Sequence, residues 1–169
     1  MSDPPRTPYP PEPDPDGDDE FLDATFEDDD WSNRRETRFS ARRVAFVRVR
    51  LTGAQLPEST LRDITFADCR ADLASFRFAK LERVVFRDCR LEEADFYGAE
   101  LEDVLFERCD LRLAIIDGMR TKRVEMRGCT IEGMQGAEAL RGVRMPWNDV
   151  VGNGPVFATA LGIDVIDDD

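Results

Sequence analysis

A period of five governs the middle of this chain of 169 residues. Counting from Phe46, the positions Leu51, Leu56, Leu61, Phe66, Phe76, Leu81, Phe86, Leu91, Phe96, Leu101, Phe106, Leu111, Ile116, Met126 and Ile131 are apolar and large, and only Ala71 and Thr121 lapse. Two residues before each stands a smaller or branched residue, among them Val44, Ala54, Ile64, Cys69, Ala74, Val84, Cys89, Ala94, Val104, Cys109, Ala114 and Cys129. A helix repeats near 3.6 residues and a plain strand at two, so neither produces this pattern. A tandem repeat does.

A second period of twenty overlies the first. Cys69, Cys89, Cys109 and Cys129 are twenty apart, and so are Phe46, Phe66, Phe86 and Phe106. Twenty is four fives, and the simplest geometry is a coil with four short sides, one repeat to a side. The first and third residues of a repeat then point inward and the second outward, as in any extended segment. The last two turn the corner. Residues one coil apart stack about 4.8 Å from each other, the spacing of neighbouring strands. The charges agree. One corner row reads Arg43, Asp63, Arg83, Asp103, Arg123; other rows read Lys80, Glu100, Arg120 and Arg87, Glu107, Arg127. Facing side chains in a ladder require such alternation. The row Arg50, Arg70, Arg90 departs from it, with Asp68 and Asp88 close enough to relieve the repulsion.

The segments Ala94-Asp95-Phe96, Ala99-Glu100-Leu101, Cys109-Asp110-Leu111, Cys89-Arg90-Leu91 and Ala79-Lys80-Leu81 resemble the Ala-(Asp/Asn)-Leu-x-x consensus of pentapeptide-repeat proteins. The resemblance implies an all-β fold, a right-handed quadrilateral β-helix; its handedness comes from the family alone. The repeat region is long enough for about 4–5 coils at twenty residues each. The layout after the repeats resembles that of several bacterial members, in which a short C-terminal α-helical cap closes the last coil and in some relatives forms a dimer contact.

Charge divides the chain. The net charge of −13 is concentrated at the ends: residues 1–31 hold twelve acids and one base, and residues 164–169 hold four acids. Residues 1–19, rich in proline and aspartate, read as disordered. Residues 20–31 mix Phe21, Leu22, Phe26 and Trp31 with acids. They are either an acidic-hydrophobic partner motif or a cap docked on the open end of the first coil, facing Arg34, Arg35, Arg38, Arg42 and Arg43. The expected division is an acidic tail over 1–33, the β-helix over 34–133 and a C-terminal extension over 134–169. In the extension, Asn153-Gly154-Pro155 starts a helix whose apolar face is Val156, Phe157, Ala160 and Leu161, ending at Gly162. Gly162 to Val165 reads as a last extended piece. No apolar run is long enough for a bilayer and no charged-then-apolar leader opens the chain, so a cytoplasmic protein is expected.

Nothing in the residues points to catalysis. Histidine is absent, and there is no nucleophile–base pair or Gly-rich phosphate loop. The four cysteines share one inward row with no CxxC pair, which suits small buried hydrophobes better than a disulfide or a zinc site. Adjacent acids such as Glu92-Glu93 and Glu102-Asp103 sit on a convex wall where no pocket shifts their pKa. No feature supports a magnesium site at Glu100, Glu102 and Asp103. The expectation is a non-enzymatic protein with no cofactor, acting by surface binding.

Two binding surfaces stand out. Leu73, Phe78, Tyr97, Leu113 and Ile115 are outward or corner residues by register, and apolar groups there mark a contact with a partner or with the chain's own tail. This surface makes a protein-binding scaffold of unknown partner the first reading. The second surface is acidic: Glu92, Glu93, Asp95, Glu100, Glu102, Asp103, Glu107 and Asp110. The resemblance implies an alternative through it, a DNA mimic that binds a type II topoisomerase (DNA gyrase or topoisomerase IV) and inhibits it or protects it from inhibitors, since well-studied members bind gyrase. Neither reading involves direct nucleic-acid binding or a membrane. A homodimer through the C-terminal helix fits both.

Overall fold

The computed structural model describes residues 3–12 and 21–166. Six parallel strands stack in chain order: β1 (Thr25–Glu27), β2 (Ser40–Val47), β3 (Thr60–Ala67), β4 (Lys80–Arg87), β5 (Glu100–Glu107) and β6 (Arg120–Arg127). Each pairs with the next at a register of twenty: Phe26 lies beside Phe46, Phe46 beside Phe66, and so on to Met126. The strands bend at a corner and form two walls. The other two are single-residue parallel bridges, Arg50–Arg70–Arg90–Asp110–Thr130 and Gln55–Ser75–Asp95–Ile115–Gln135. The four walls are named by their outward rows: wall 1 by Lys80 and Glu100, wall 2 by Thr65 and Val85, wall 3 by Arg70 and Arg90, wall 4 by Ser75 and Asp95. About five turns result, as the two periods require.

The corners share one backbone solution. The second corner residue of every repeat from Asp23 to Gly133 has positive φ. Where it is not glycine, φ lies between 50° and 58°. This left-handed conformation costs an L-residue about 1 kcal/mol. The solenoid tolerates it repeatedly because corner amides along its length bond carbonyls of the next coil, as Asp68 N–H does to Arg87 O at 3.0 Å.

Inside is a single file of side chains. Phe46, Phe66, Phe86 and Phe106 stack face to face with centroids 4.7–5.0 Å apart and planes within 9° of parallel. Phe76 and Phe96 stack beside them and meet them edge-on. Each inward Phe or Leu contributes about 2 kcal/mol on burial. The four cysteines are free and buried in one row. Each thiol donates to the carbonyl of a phenylalanine in the preceding coil, Cys89 Sγ to Phe66 O at 3.4 Å for example.

The ends depart from expectation. Residues 21–38 are a coil of the solenoid itself: Phe26 stacks on Phe46, Trp31 packs edge-on to both, and Leu22, Asp30 and Arg35 bridge to Arg42, Arg50 and Gln55. The repeat therefore starts at Phe21 and not at 34. The open end is closed by the Arg34 guanidinium, 4.2 Å above the Trp31 ring. Residues 3–12, expected to be disordered, lie along an outer corner; the remainder of that tail, residues 1–2 and 13–20, lies outside the described residues. At the other end, Gln135 still bridges to Ile115 and Arg144 bridges to Glu125. A 3-10 turn (Ala137–Leu140), α1 (Trp147–Gly152) and α2 (Gly154–Ala160) follow. Val156, Phe157 and Ala160 pack on the core, so α2 caps the last coil, while Leu161 is exposed. Gly162–Val165 forms no strand.

Candidate functional site

Of the four walls, wall 4 with its two corners carries the exposed large apolar groups. Leu73 and Leu113 occupy the corner shared with wall 3, and Phe78 the corner toward wall 1, all at left-handed φ. They are 53%, 45% and 52% exposed. Tyr97 is the first residue of the corner one coil beyond Phe78. Its ring meets the Phe78 ring edge-on at 5.5 Å. Ile115 is the outward residue of wall 4 between Asp95 and Gln135, and it is half-buried. The five residues singled out from the sequence thus share one wall and its edges. No described segment of the chain covers the four corner residues.

Two neighbours that the sequence did not flag complete this surface. Arg77 holds its guanidinium 4.5 Å from the Tyr97 centroid and pairs with Asp95 at 2.9 Å. Gly98 lies beneath Phe78: a Cβ there would fall 2.6 Å from the Phe78 ring, and φ is +64°. The equivalent corners accept non-glycine residues at similar φ, so it is the ring resting on Gly98, more than the turn, that leaves no room for a side chain. A bulky aromatic beside a forced glycine in the next coil is the signal that would have identified this seat.

The acidic residues are arranged differently. Residues 92–110 make one circuit of the coil, so their carboxylates ring it on all sides. All but Glu93 are ion-paired. Asp95 pairs with Arg77, Glu100 with Arg120, Glu107 with Arg87 at 2.6 Å, and Glu92 and Asp110 with Arg112. Glu102 pairs with Lys122 and Arg123, both at 2.7 Å. Asp103 is 1% exposed and accepts two bonds from Arg123. These cations hold Glu102, Asp103, Glu107 and Asp110 below the usual carboxylate range. Among the described residues, no group of three or more His, Cys, Asp or Glu side chains is placed to hold a metal ion.

The corner between walls 1 and 2 carries the strongest electrostatics. Arg43 clasps Asp23, Arg83 clasps Asp63 at 2.6 and 3.0 Å, and Arg123 clasps Asp103 at 2.6 and 2.7 Å, each with two bonds across one coil. Asp23 is drawn down to about 2, chiefly by Arg43. Burial opposes ionisation of Asp63, but the bonds from Arg83 and from the Tyr9 amide outweigh it and lower its pKa. The alternating row expected from the sequence is thus a set of paired ladders.

A stack of four-sided coils, one five-residue repeat to a side, defines a class: a β-solenoid rod whose core is filled by its own side chains and whose walls are its working surface. The repeat region of the chain belongs to the pentapeptide-repeat family. The family model described as a pentapeptide repeat region matches residues 39–116, and the same register runs on to Phe21 and Gln135. Among solved structures, a pentapeptide repeat protein of the Arabidopsis thaliana thylakoid lumen is similar at 16% identity, covering 57% of this chain and 67% of that one, with a TM-score of 0.54. HetL of the cyanobacterium Nostoc, a pentapeptide repeat protein involved in heterocyst differentiation regulation, is similar at 17% identity over 70% of this chain and 68% of that one, at 0.47. QnrB1, a plasmid-mediated fluoroquinolone resistance protein, aligns at 17% identity over 85% of this chain and 98% of that one, at 0.27. The first of these likenesses shows the fold. No curated protein matches the chain.

Proposed function

We propose that this chain acts by holding a protein partner against wall 4, with Phe78 and Tyr97 at the centre of the contact and Leu73 and Leu113 at its edge. The observation that supports this is the exposed Phe78–Tyr97 pair, with Arg77 over it. The solenoid core does not need these rings, and their corner position disfavours a bulky residue. Aromatic residues beside an arginine are the side chains enriched where interfaces draw their binding energy. The test is Phe78→Glu on full-length protein. A partner recovered with the unaltered chain is lost on this variant, while the melting temperature is unchanged. Retention of the partner by Phe78→Glu would overturn the reading.

A second reading is favoured by the family resemblance and by the net charge of −13: a DNA-mimicking ligand of DNA gyrase or topoisomerase IV. Mimicry works through unpaired carboxylates entering a basic channel, and in the acidic block only Glu93 is unpaired, which ranks this reading second. Asp103, buried and bound by Arg123, is unsuited to test it. The double variant Glu93→Lys with Glu100→Lys is suited. Inhibition of supercoiling by the full chain, lost on the double variant, supports mimicry. Absence of gyrase binding at low salt, where charge-driven contact is strongest, removes it. A homodimer through the C-terminal end rests on the exposed Trp147, Leu161 and Ile163 beside α1 and α2; light scattering with Leu161→Glu reads it directly.

A further inference from the structure

The corner between walls 1 and 2 is occupied by residues 3–12 of the chain itself. The amide of Arg6 donates to Asp103 Oδ1 at 3.0 Å, that of Tyr9 to Asp63 Oδ1 at 3.2 Å, and that of Glu12 to Asp23 Oδ1 at 3.1 Å. Three residues along the segment correspond to forty along the solenoid, which is two coils. This match has a simple origin. A polyproline II helix repeats every three residues and rises about 9.3 Å per repeat. Two coils at strand spacing rise roughly 9.6 Å. The burial pattern repeats at the same interval: Pro5, Pro8 and Pro11 are half-buried, and the other described residues of the segment are exposed. The Arg83 guanidinium, clasped to Asp63, lies 5.6 Å from the Tyr9 centroid.

We infer that the Asp23–Asp63–Asp103 corner is a binding site for a proline-rich peptide in the polyproline II conformation, and that residues 3–12 are its resident ligand, held as an intramolecular strap. The site reads backbone spacing. It demands a free N–H at every third residue, because each aspartate offers one acceptor every two coils. Proline is favoured between those positions, since it fixes the extended helix before binding and removes amides that would otherwise go unpaired. The sequence obeys this rule: positions 6, 9 and 12 are not proline, while 5, 8 and 11 are. Thr7 makes no hydrogen bond to the wall, so proline is acceptable there. The aspartates serve as acceptors because their arginines keep them ionised and oriented. This site lies diagonally across the coil from the corner that holds Leu73 and Leu113, so it is independent of the partner contact proposed on wall 4.

Amide hydrogen exchange on the full-length chain tests the strap. The amides of Arg6 and Tyr9 are expected to exchange about tenfold or more slowly than that of Thr7, as hydrogen-bonded amides do. Thr7→Pro should preserve this protection, and Tyr9→Pro should abolish it at Arg6 as well. A second measurement uses the full chain with Arg6→Pro, Tyr9→Pro and Glu12→Pro, which detaches the strap without touching the solenoid. A fluorescent synthetic peptide of residues 3–12 should bind this variant saturably. It should bind the unaltered chain far less, because the tethered strap competes at high effective concentration. The same peptide carrying Tyr9→Pro should bind about tenfold more weakly, one hydrogen bond being lost. Exchange of Arg6 and Tyr9 at the rate of Thr7 would overturn the inference. So would equal binding of the two peptides, or no binding of either to the detached variant.

Discussion

Inside the coil, Phe46, Phe66, Phe86 and Phe106 lie over one another at 4.7–5.0 Å; on the corner between walls 1 and 2, Asp23, Arg43, Asp63, Arg83, Asp103 and Arg123 follow the same twenty-residue step. The two rows differ in what each member asks of its neighbours. An interior ring touches like rings above and below, so its neighbours cannot relax into the space it leaves. A corner charge touches an opposite charge on one side and water or the strap on the other, so its loss is local. The solenoid is therefore stiff inside and permissive outside, which is how a repeat protein can vary its walls while keeping one core.

The largest effect comes from the interior. Phe86→Ala should cost about 3–5 kcal/mol, read by urea unfolding, because the rings of Phe66 and Phe106 are held in register by their own strands. A cost near 1 kcal/mol would mean that the file collapses around the gap, and the contrast with the corners would weaken.

The next effect separates buried from exposed ladders. Arg83→Ala strands Asp63, which is 2% exposed, and should cost about 2–3 kcal/mol. Arg108 makes the same two-bond clasp on Asp88, at 2.7 and 3.0 Å, but both partners are open to water. Arg108→Ala should cost clearly less, because water screens an exposed pair. Equal costs would show that geometry, and not burial, sets the value of a corner pair.

Acid probes the same ladders without mutation. The folded pKa values of Asp23, Asp63 and Asp103 lie below the ordinary value, Asp23 at about 2. A depressed carboxylate contributes stability that is full above its unfolded pKa and is lost as pH falls through the folded one. Stability should therefore hold down to about pH 4 and decline toward pH 2, the unfolded value for aspartate being about 3.9. Protonation also weakens the strap's acceptors, so protection of the Arg6 and Tyr9 amides should fade at the acid end of this range, as pH falls through the lowered pKa values of Asp103 and Asp63. A loss of stability centred near pH 6 would contradict this assignment.

How much of this was legible beforehand follows from where each signal resides. The core file, the cysteine row and the sign-alternating corners were readable because they repeat, and repetition averages out local exceptions. The first coil resembles a tail in sequence because its inward positions break the size rule: Arg34 and Asp29 stand where small residues recur, and Phe39 and Ala41 exchange the small and large places. Both of these are still buried, at 7% and 2%. The strap was unreadable for another reason. Its composition is that of a disordered tail, and its hydrogen-bond partners lie up to 97 residues away. Wall 4 was found from register alone. Its details, Arg77 over Tyr97 and Gly98 under Phe78, needed the geometry of neighbouring coils.

The most direct measurement compares two phenylalanines separated by one residue. Phe76 points into the file and is fully buried; Phe78 stands on the corner, 52% exposed. Thermal unfolding of Phe76→Asp and Phe78→Asp, followed by circular dichroism, places the same charge on either side of one wall. Phe76→Asp should show no cooperative transition, an unpaired charge in a closed core, and Phe78→Asp a melting temperature within about 2 °C of the unaltered chain, as for an exposed site. A folded Phe76→Asp, or a Phe78→Asp that unfolds, would contradict this placement of the two rings.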